Sequence, residues 1–402
     1  MTIEPAGVLN GEAWREFCAR AAAAGDRILG DEFPGRGPDG ARDRAEGVRH
    51  VANQLACWLT FAVGFTDVEH PAFFRSADPV YRWGGPNVDQ VARRSAIAGD
   101  GVYRVSGTMG SCEDFALQVK VGATQSGGAD IALEVFASQL GLGPGDDFDL
   151  VFGGQEADAG DARWFPLDAD ASFVHVRDYY FDWQATEPAT FVIERLDTQG
   201  APARPVDAER VARMLETAVH EVEHSVVFWQ QYQARMMDQR GGPNVFNEPR
   251  PEGRGVQDIM YAHAFVNLPH DEAMVLTLDA ADAPMWDVGT YNRAWYEPLD
   301  YANGVTSLNH RQVFGAADGT VRVVVAGTDP GVANWLSTEG RDEVLCTIRW
   351  IRPPGQPTLR YERVALADLD AHLAPGTPRV DAAARRAEVA ARAAHVAWRF
   401  RT

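Results

Sequence analysis

Between residues 11 and 65 apolar side chains recur every three to four positions, the spacing of one helix face. "GEAWREFCARAAAAGDRIL" and "GARDRAEGVRHVANQLACWLTFAVGF" carry that pattern, and the Gly/Pro stretch "PGRGPDG" breaks it between them. From about residue 101 the texture changes to short alternating runs: "GVYRVSGTM", "DFALQVKVGAT", "IALEVFASQ", "DFDLVFGG", "FVHVRDYYFDW" and "ATFVIERL". Strands this closely spaced, with no helix between them, predict an antiparallel sandwich or barrel rather than a parallel sheet. "DTQGAPARPVDAER" ends the alternation, and Pro205 and Asp207 open a helix predicted over 207–239, which "RGGPN" stops. A second strand-rich block follows in "AMVLTLDA", "SLNHRQVFG", "TVRVVVAG", "VLCTIRWI" and "LRYERVAL", with an Asp-Gly hairpin turn in "AADGT". The chain closes on a basic, Ala-rich helix, "VDAAARRAEVAARAAHVAWRFRT".

The pattern predicts a mainly β fold with α segments (α+β): two antiparallel β-sandwich or jelly-roll-like domains, helical terminal segments and a connecting helix. The expected divisions are a helical segment over 1–78, a first sandwich over 79–199, the connecting helix within 200–245, a second sandwich over 246–366 and a terminal helix over 367–402. The two strand-rich blocks share a local order. The first has Gly154, a polar loop, Trp164-Phe165 and a strand ending in Arg177; the second has Gly327, a polar loop, Trp335-Leu336 and a strand containing Arg349. Duplication and coincidence both account for so short a match.

Composition narrows the function classes. With 402 residues the chain exceeds what one core usually serves, and 46% hydrophobic against 23% charged residues is an ordinary globular balance. A net charge of −20 opposes binding to nucleic acid or to an anionic membrane surface. The longest apolar run, "LACWLTFAVGF", is too short to span a bilayer, and the N-terminus shows no secretory signal. Cys18, Cys57, Cys112 and Cys346 lie far apart and read as buried thiols in a reducing compartment. A cytoplasmic protein is expected; homo-oligomerisation stays open.

"RWFPLDADASFVHVRDYYFDW", "WYEPLDYANGVTSLN" and "TDPGVANWL" carry a family pattern. Trp164, Pro166 and Leu167 precede Val176, Arg177 and Tyr179; Trp286, Asn292 and Trp295 precede Asp300-Tyr301 and Ser307-Leu308-Asn309; Asp329 to Gly331 precede Asn334 to Leu336. With "RWGGPNVDQ" and "YRVSG", the chain over roughly residues 45–355 resembles the bacterial family catalogued as domain of unknown function 1214. The resemblance implies a β-rich two-part fold and no particular reaction.

Three groups of residues carry candidate chemistry. His220, Glu221 and His224 form His-Glu-x-x-His, which on a helix places two imidazoles one turn apart beside a carboxylate, as in zinc hydrolases. Against a metal stand the charged Glu223 inside the motif, the lack of a third ligand beyond Glu248 and Glu252 in a Pro/Gly-rich loop, and an apolar stripe (Val211, Leu215, Ala218, Val222, Val226, Trp229) opposite the histidines. No metal and no cofactor is expected. The second group interleaves aromatic and polar side chains: Trp286, Tyr291, Asn292, Trp295 and Asn309 to bind substrate, with Asp300 orienting His310 as base and Tyr301 as acid. The third is Arg177 and Tyr179, which period 2 places on one face of a strand with Asp178 on the other, as an anion or carbonyl anchor or as a clamp between sheets. "RWGGPN" is a Gly-Gly turn beside Trp83 and Asn87, and no phosphate loop, dinucleotide fingerprint or serine-hydrolase elbow occurs. The expectation is a cofactor-independent enzyme of isomerase, hydratase or lyase type, acting on a small, largely apolar organic molecule. A non-catalytic ligand- or carbohydrate-binding sandwich and a zinc hydrolase are the alternatives.

Overall fold

The computed structural model describes residues 2–30, 40–122, 130–185, 187–239, 241–252, 256–279, 282–317 and 319–402. Most of the Gly/Pro break at 34–40 and Asp318 of the expected hairpin turn lie outside them. The chain is mainly β with α segments, arranged as two antiparallel sandwiches with helices at both ends and one between. It forms two compact units. The first contains 1–83, 90–179 and 187–232; the second contains 233–402 together with two short pieces, 84–89 and 180–186. The N-terminal helices therefore belong to the first unit rather than standing apart, and the second unit borrows chain from the middle of the first half.

In the first unit, α1 (Pro5–Asn10), α2 (Glu12–Leu29) and α3 (Gly40–Gly64) precede nine strands. These are β1 (Phe74–Ala77), β2 (Gln90–Ala96), β3 (Tyr103–Thr108), β4 (Asp114–Val121), β5 (Asp130–Phe136), β6 (Asp147–Phe152), β7 (Arg163–Phe165), β8 (Phe173–Tyr179) and β9 (Thr190–Arg195). They form sheets of order β1-β2-β8-β4-β5 and β7-β6-β3-β9. The alternation of β4 sends Phe115, Leu117 and Val119 to one face, where Val176 and Val174 of β8 lie opposite Leu117 and Val119. All five are buried, as are Val105, Phe148, Leu150 and Ile193 of the other sheet. Asp178 shares that inward face and is ion-paired with Arg93 of β2, a neighbour in the same sheet rather than a clamp between sheets, and Arg177 takes no part in it.

The connecting helix α4 (Ala208–Asp238) runs as predicted. Leu215, Ala218, Val222 and Val226 of its stripe are buried. Leu215 and Ala218 pack in a cluster with Ile3, Phe17 and Ala62. The polar face is less solvated than expected. Arg20 of α2 donates to Glu223 Oε1 and Oε2 at 2.9 and 2.7 Å and to Glu216 Oε2 at 2.8 Å.

The second unit has β10 (Arg250–Pro251), β11 (Ile259–Asn267), β12 (Glu272–Asp279), β13 (Met285–Tyr291), β14 (Ser307–Asn309), β15 (Val321–Ala326), β16 (Trp335–Ser337), β17 (Glu343–Ile351) and β18 (Thr358–Ala365), then α5 (Ala382–Phe400). Its sheets run β10-β11-β17-β13-β14 and β16-β15-β12-β18. Adding nine to every strand number of the first unit reproduces both orders. Even the parallel pairs β6–β7 and β15–β16 correspond. The shared local order in the sequence is thus one strand of a whole-sandwich repeat: Arg177 and Arg349 lie on corresponding middle strands, β8 and β17. Trp286, Val288, Trp350, Leu276 and Val323 fill the second core. Asp381 caps α5, accepting from the Ala383 and Ala384 amides at 2.9 and 2.8 Å.

Candidate functional site

In β13 the pleat sends Trp286 and Val288 into the sandwich core and Asp287 and Tyr291 to the opposite face. Register places Arg349 of β17 beside Asp287 on one side and beside Tyr261 on the other, while Asn309 of β14 pairs with Asp287 from the far side. The same face thus gathers an arginine, a carboxylate, an amide and two phenols. The piece 84–89 lies against it. Gly84 and Gly85 have φ of 77° and 62°, in the left-handed region that glycine tolerates. A Cβ on Gly85 would run into the Tyr296 ring, so the close approach also demands glycine. The Gly85 carbonyl accepts from Arg349 at 2.8 Å, and the Pro86 carbonyl accepts from the Tyr291 hydroxyl at 2.9 Å.

Two carboxylates, both 1% exposed, end up in this network. Asp287 Oδ1 accepts from Arg349 at 3.0 Å and Oδ2 accepts from Asn87 at 2.8 Å. Asp89 Oδ1 accepts from the Trp183 indole and from Asn309, each at 2.6 Å. Asp89 Oδ2 has no hydrogen bond among the described residues. Asn87 Oδ1 in turn accepts from the Asp89 amide at 2.8 Å. From α5, the Arg392 and Arg399 guanidiniums lie 4.4 and 5.1 Å from the Trp183 ring centre, and the His395 ring stacks on it at 4.9 Å.

Burial is the dominant electrostatic influence. It pushes Asp287 up to about 7, against the pull of Arg349 and with the repulsion of Asp89. Burial also raises Asp89, opposed by Arg399 and by the hydrogen bonds from Asn309 and Trp183. Desolvation lowers Arg392 to about 10 and His395 to about 3. The site therefore combines two desolvated carboxylates that disfavour joint ionisation with a buried carboxyl oxygen that accepts no hydrogen bond among the described residues. That combination suits proton transfer near neutral pH.

Of the residues singled out in the sequence, Tyr291 and Asn309 belong to the network. Trp286 faces the core instead. Asn292 forms a turn, its Oδ1 accepting from the Ala294 and Trp295 amides at 2.7 and 2.9 Å, and Trp295 is buried beside it. The Asp300 carboxylate caps a turn, accepting from the Asn303 amide at 3.1 Å and from its side chain at 3.0 Å. The carboxylate is thus engaged by its own turn, and the His310 ring that it was expected to orient lies 4.9 Å from Phe181. Tyr301 contributes its carbonyl to Arg392 at 3.1 Å. Arg177 and Tyr179 belong to the other unit, where Arg177 donates to Gln118 at 2.7 Å. The sequence pattern alone does not single out Asp89, Asp287 or Trp183. Their signal was the alternation of β13, in which Asp287 falls on the face opposite Trp286, and the Asn87-x-Asp89 pair following the Gly-Gly turn.

His220 and His224 do sit one turn apart, with ring centres 4.0 Å apart. The His224 Nδ1 lies 2.7 Å from the His220 carbonyl and so donates to its own helix. Among the described residues no group of three His, Cys, Asp or Glu side chains could hold a metal. Glu252 lies 3.1 Å from His263. Cys57, Cys112 and Cys346 are buried as expected, whereas Cys18 is exposed; all four are free thiols. No described helix is long and apolar enough to cross a membrane.

No protein-family model matches the sequence, and no curated protein matches it. Among solved structures, the chain is similar to an uncharacterized protein from Burkholderia cenocepacia, at 28% identity and a TM-score of 0.80, covering 90% of this chain and 99% of that one. A protein from Vibrio parahaemolyticus aligns at 10% identity and a TM-score of 0.46, over 85% of this chain and 99% of its own.

Proposed function

We propose that the protein is a cofactor-independent enzyme performing acid–base chemistry on a small, largely apolar organic molecule, with Asp287 and Asp89 as its proton-transfer pair. The observation that carries this reading is the buried pair itself: Asp287 is raised to about 7, and Asp89 Oδ2 is left without a hydrogen bond among the described residues. Asn87, Asn309, the Trp183 indole and Arg349 fix the orientation of the two carboxyls, and Tyr291 supplies a hydroxyl on the same face. Isomerisation, hydration or dehydration, and lysis all use such a pair.

The same sequence motifs lead us to propose membership in the family of domain of unknown function 1214. Four free thiols, three of them buried, support a cytoplasmic setting.

Proton abstraction can be tested without knowing the substrate. Wild-type protein and Asp287→Asn are incubated in D2O with a panel of small ketones, enones and hydroxy acids, and exchange or turnover is followed by proton NMR. At least one compound should react with the wild type and slow by about 10²–10⁴-fold in the variant. A folded Asp287→Asn protein reacting at the full rate would remove the pair from catalysis. Binding without reaction across the panel would favour the ligand-binding alternative.

A further inference from the structure

The corresponding face of the first sandwich is also polar, and its polarity has the opposite sign. Register brings Arg94, His175 and Gln118 into one cross-strand row on β2, β8 and β4. The next row places Lys120 beside Phe173, and the row on the other side contains Arg177 between Ala92 and Ala116. Contacts confirm the common face: the Arg94 guanidinium lies 5.1 Å from the Phe173 ring centre, and Arg177 donates to Gln118 at 2.7 Å. Arg94, Lys120 and His175 are only 8%, 3% and 8% exposed. Among the described residues neither Arg94 nor Lys120 has an ion-pair partner, and Arg94 Nε and His175 Nε2 have no hydrogen bond. Buried cations in this state are costly unless an anion completes them.

Among the described residues the carboxylates acting on this face are few. Glu134 is held by the Gln118 amide at the edge strand, and Glu221 of the His-Glu-x-x-His segment lies within electrostatic reach of Arg94 and the Cys57 thiol. With Lys120 protonated, as a bound anion would make it, Arg94, Arg177 and Lys120 face Glu134 and Glu221, three cations to two carboxylates and one positive charge over. Around Arg94 the walls are aromatic, with Trp58 and Phe61 of α3 at 5.2 and 5.7 Å and Phe173 opposite. A strongly hydrated phosphate dianion suits neither the single surplus charge nor the rings.

We propose that this face, formed by Arg94, Lys120, His175 and Arg177, is a binding site for a small organic carboxylate with an apolar body. The carboxylate is held by Arg177 and Lys120, and its body lies along Phe173, Trp58 and Phe61. The site stands independently of the carboxylate pair in the second unit. Its titration behaviour is consistent. Burial, followed by repulsion from Arg177 and Arg94, lowers Lys120 to about 7, and the same influences with Lys120 keep His175 neutral. A bound anion reverses the repulsion and draws a proton onto Lys120.

Benzoate and inorganic phosphate serve as probes in titration calorimetry at pH 8, run in two buffers of different ionisation enthalpy, with thermal melts alongside. Benzoate should raise the melting temperature and bind with uptake of roughly one proton per anion. Phosphate should do neither. Arg177→Met should weaken benzoate by about 10–100-fold, the usual loss for a charge-assisted hydrogen bond. Lys120→Met removes a buried charge rather than a packing group; it should fold and bind without proton uptake. The wild-type titration decides the matter even if a variant fails to fold. Absence of heat and of any melting shift with benzoate overturns the proposal, as does a shift with phosphate alone or full benzoate affinity in Arg177→Met.

Discussion

Asp287 carries two burdens, a charge removed from water and a second carboxylate nearby, and Arg349 relieves only part of them. Its raised folded value sets the sign of a pH effect. A carboxyl that protonates more readily in the fold than in the unfolded chain favours the fold at low pH and loses that contribution as pH rises through its folded value. Asp287 should therefore weaken the second unit between about pH 4 and 7, by at most about 1.4 kcal/mol per pH unit, and the raised Asp89 acts in the same direction. Glu216 and Glu223 act in the opposite sense in the first unit. Burial opposes the charge of Glu216, but Arg20 lowers both, so their contribution disappears as pH falls below the ordinary carboxylate range. Urea midpoints measured from pH 5 to 8 should decline with pH in the wild type and flatten in Asp287→Asn. An unchanged slope in that variant would show that another group sets it. This residue was hidden by a physical ambiguity. In "MWDVGTY" both faces of the strand are occupied, one by core and one by polar network, so aromatic and charged positions interleave without a clean apolar face.

At the level of elements, the long helices and the apolar strands were legible because each has one dominant period. The α4 stripe and the β12, β15 and β17 runs are examples. β2, "QVARRSA", was not, since its arginines face a buried polar surface and an inward ion pair rather than solvent. Its polarity reads as loop until the partners are known. The His-Glu-x-x-His segment is a motif whose spacing is met, while among the described residues no third ligand joins its histidines. Glu223 within it works with Glu216 to hold the Arg20 fork, joining α2 to α4. Arg20→Ala should destabilise the first unit by about 1–3 kcal/mol, the range for hydrogen bonds to charged groups, discounted for partial exposure. His220→Ala should leave the melting temperature within a degree or two, as is usual where no buried contact is lost, and zinc assays of both proteins should find less than about one ion per chain. Stoichiometric zinc that vanishes in His220→Ala would restore the hydrolase reading.

The whole molecule is a nine-strand sandwich used twice, with corresponding sheet faces given different chemistry: carboxylates with Arg349 in one, the buried Arg94 and Lys120 with the half-buried Arg177 in the other. The repeat was visible in sequence only as spacing around Arg177 and Arg349, because cross-strand order leaves no local trace. The same limit applies to the unit boundaries, since no composition shift marks 84–89 or 180–186 as parts of the second unit. A fragment starting at Gln233 lacks Asn87, Asp89 and Trp183, and so strands Asn309 and part of the Asp287 shell. It should unfold without cooperativity, or aggregate, while the full chain melts sharply. A cooperative fragment with an unchanged midpoint would make those pieces dispensable.

The borrowed piece 84–89 also imposes an order of events on the nascent chain. Asp89 leaves the ribosome 220 residues ahead of Asn309, and Val88 precedes Arg399, which donates to its carbonyl at 2.7 Å, by 311 residues. Loop closure over such distances is slow, and no local contact rewards it early. Through most of synthesis Asp89 must stay hydrated and ionised, a charged marker within a stretch otherwise ready to pack. Its surroundings are complete only once Arg399 has been made, so the buried carboxylate pair must wait until more than 300 further residues have been translated.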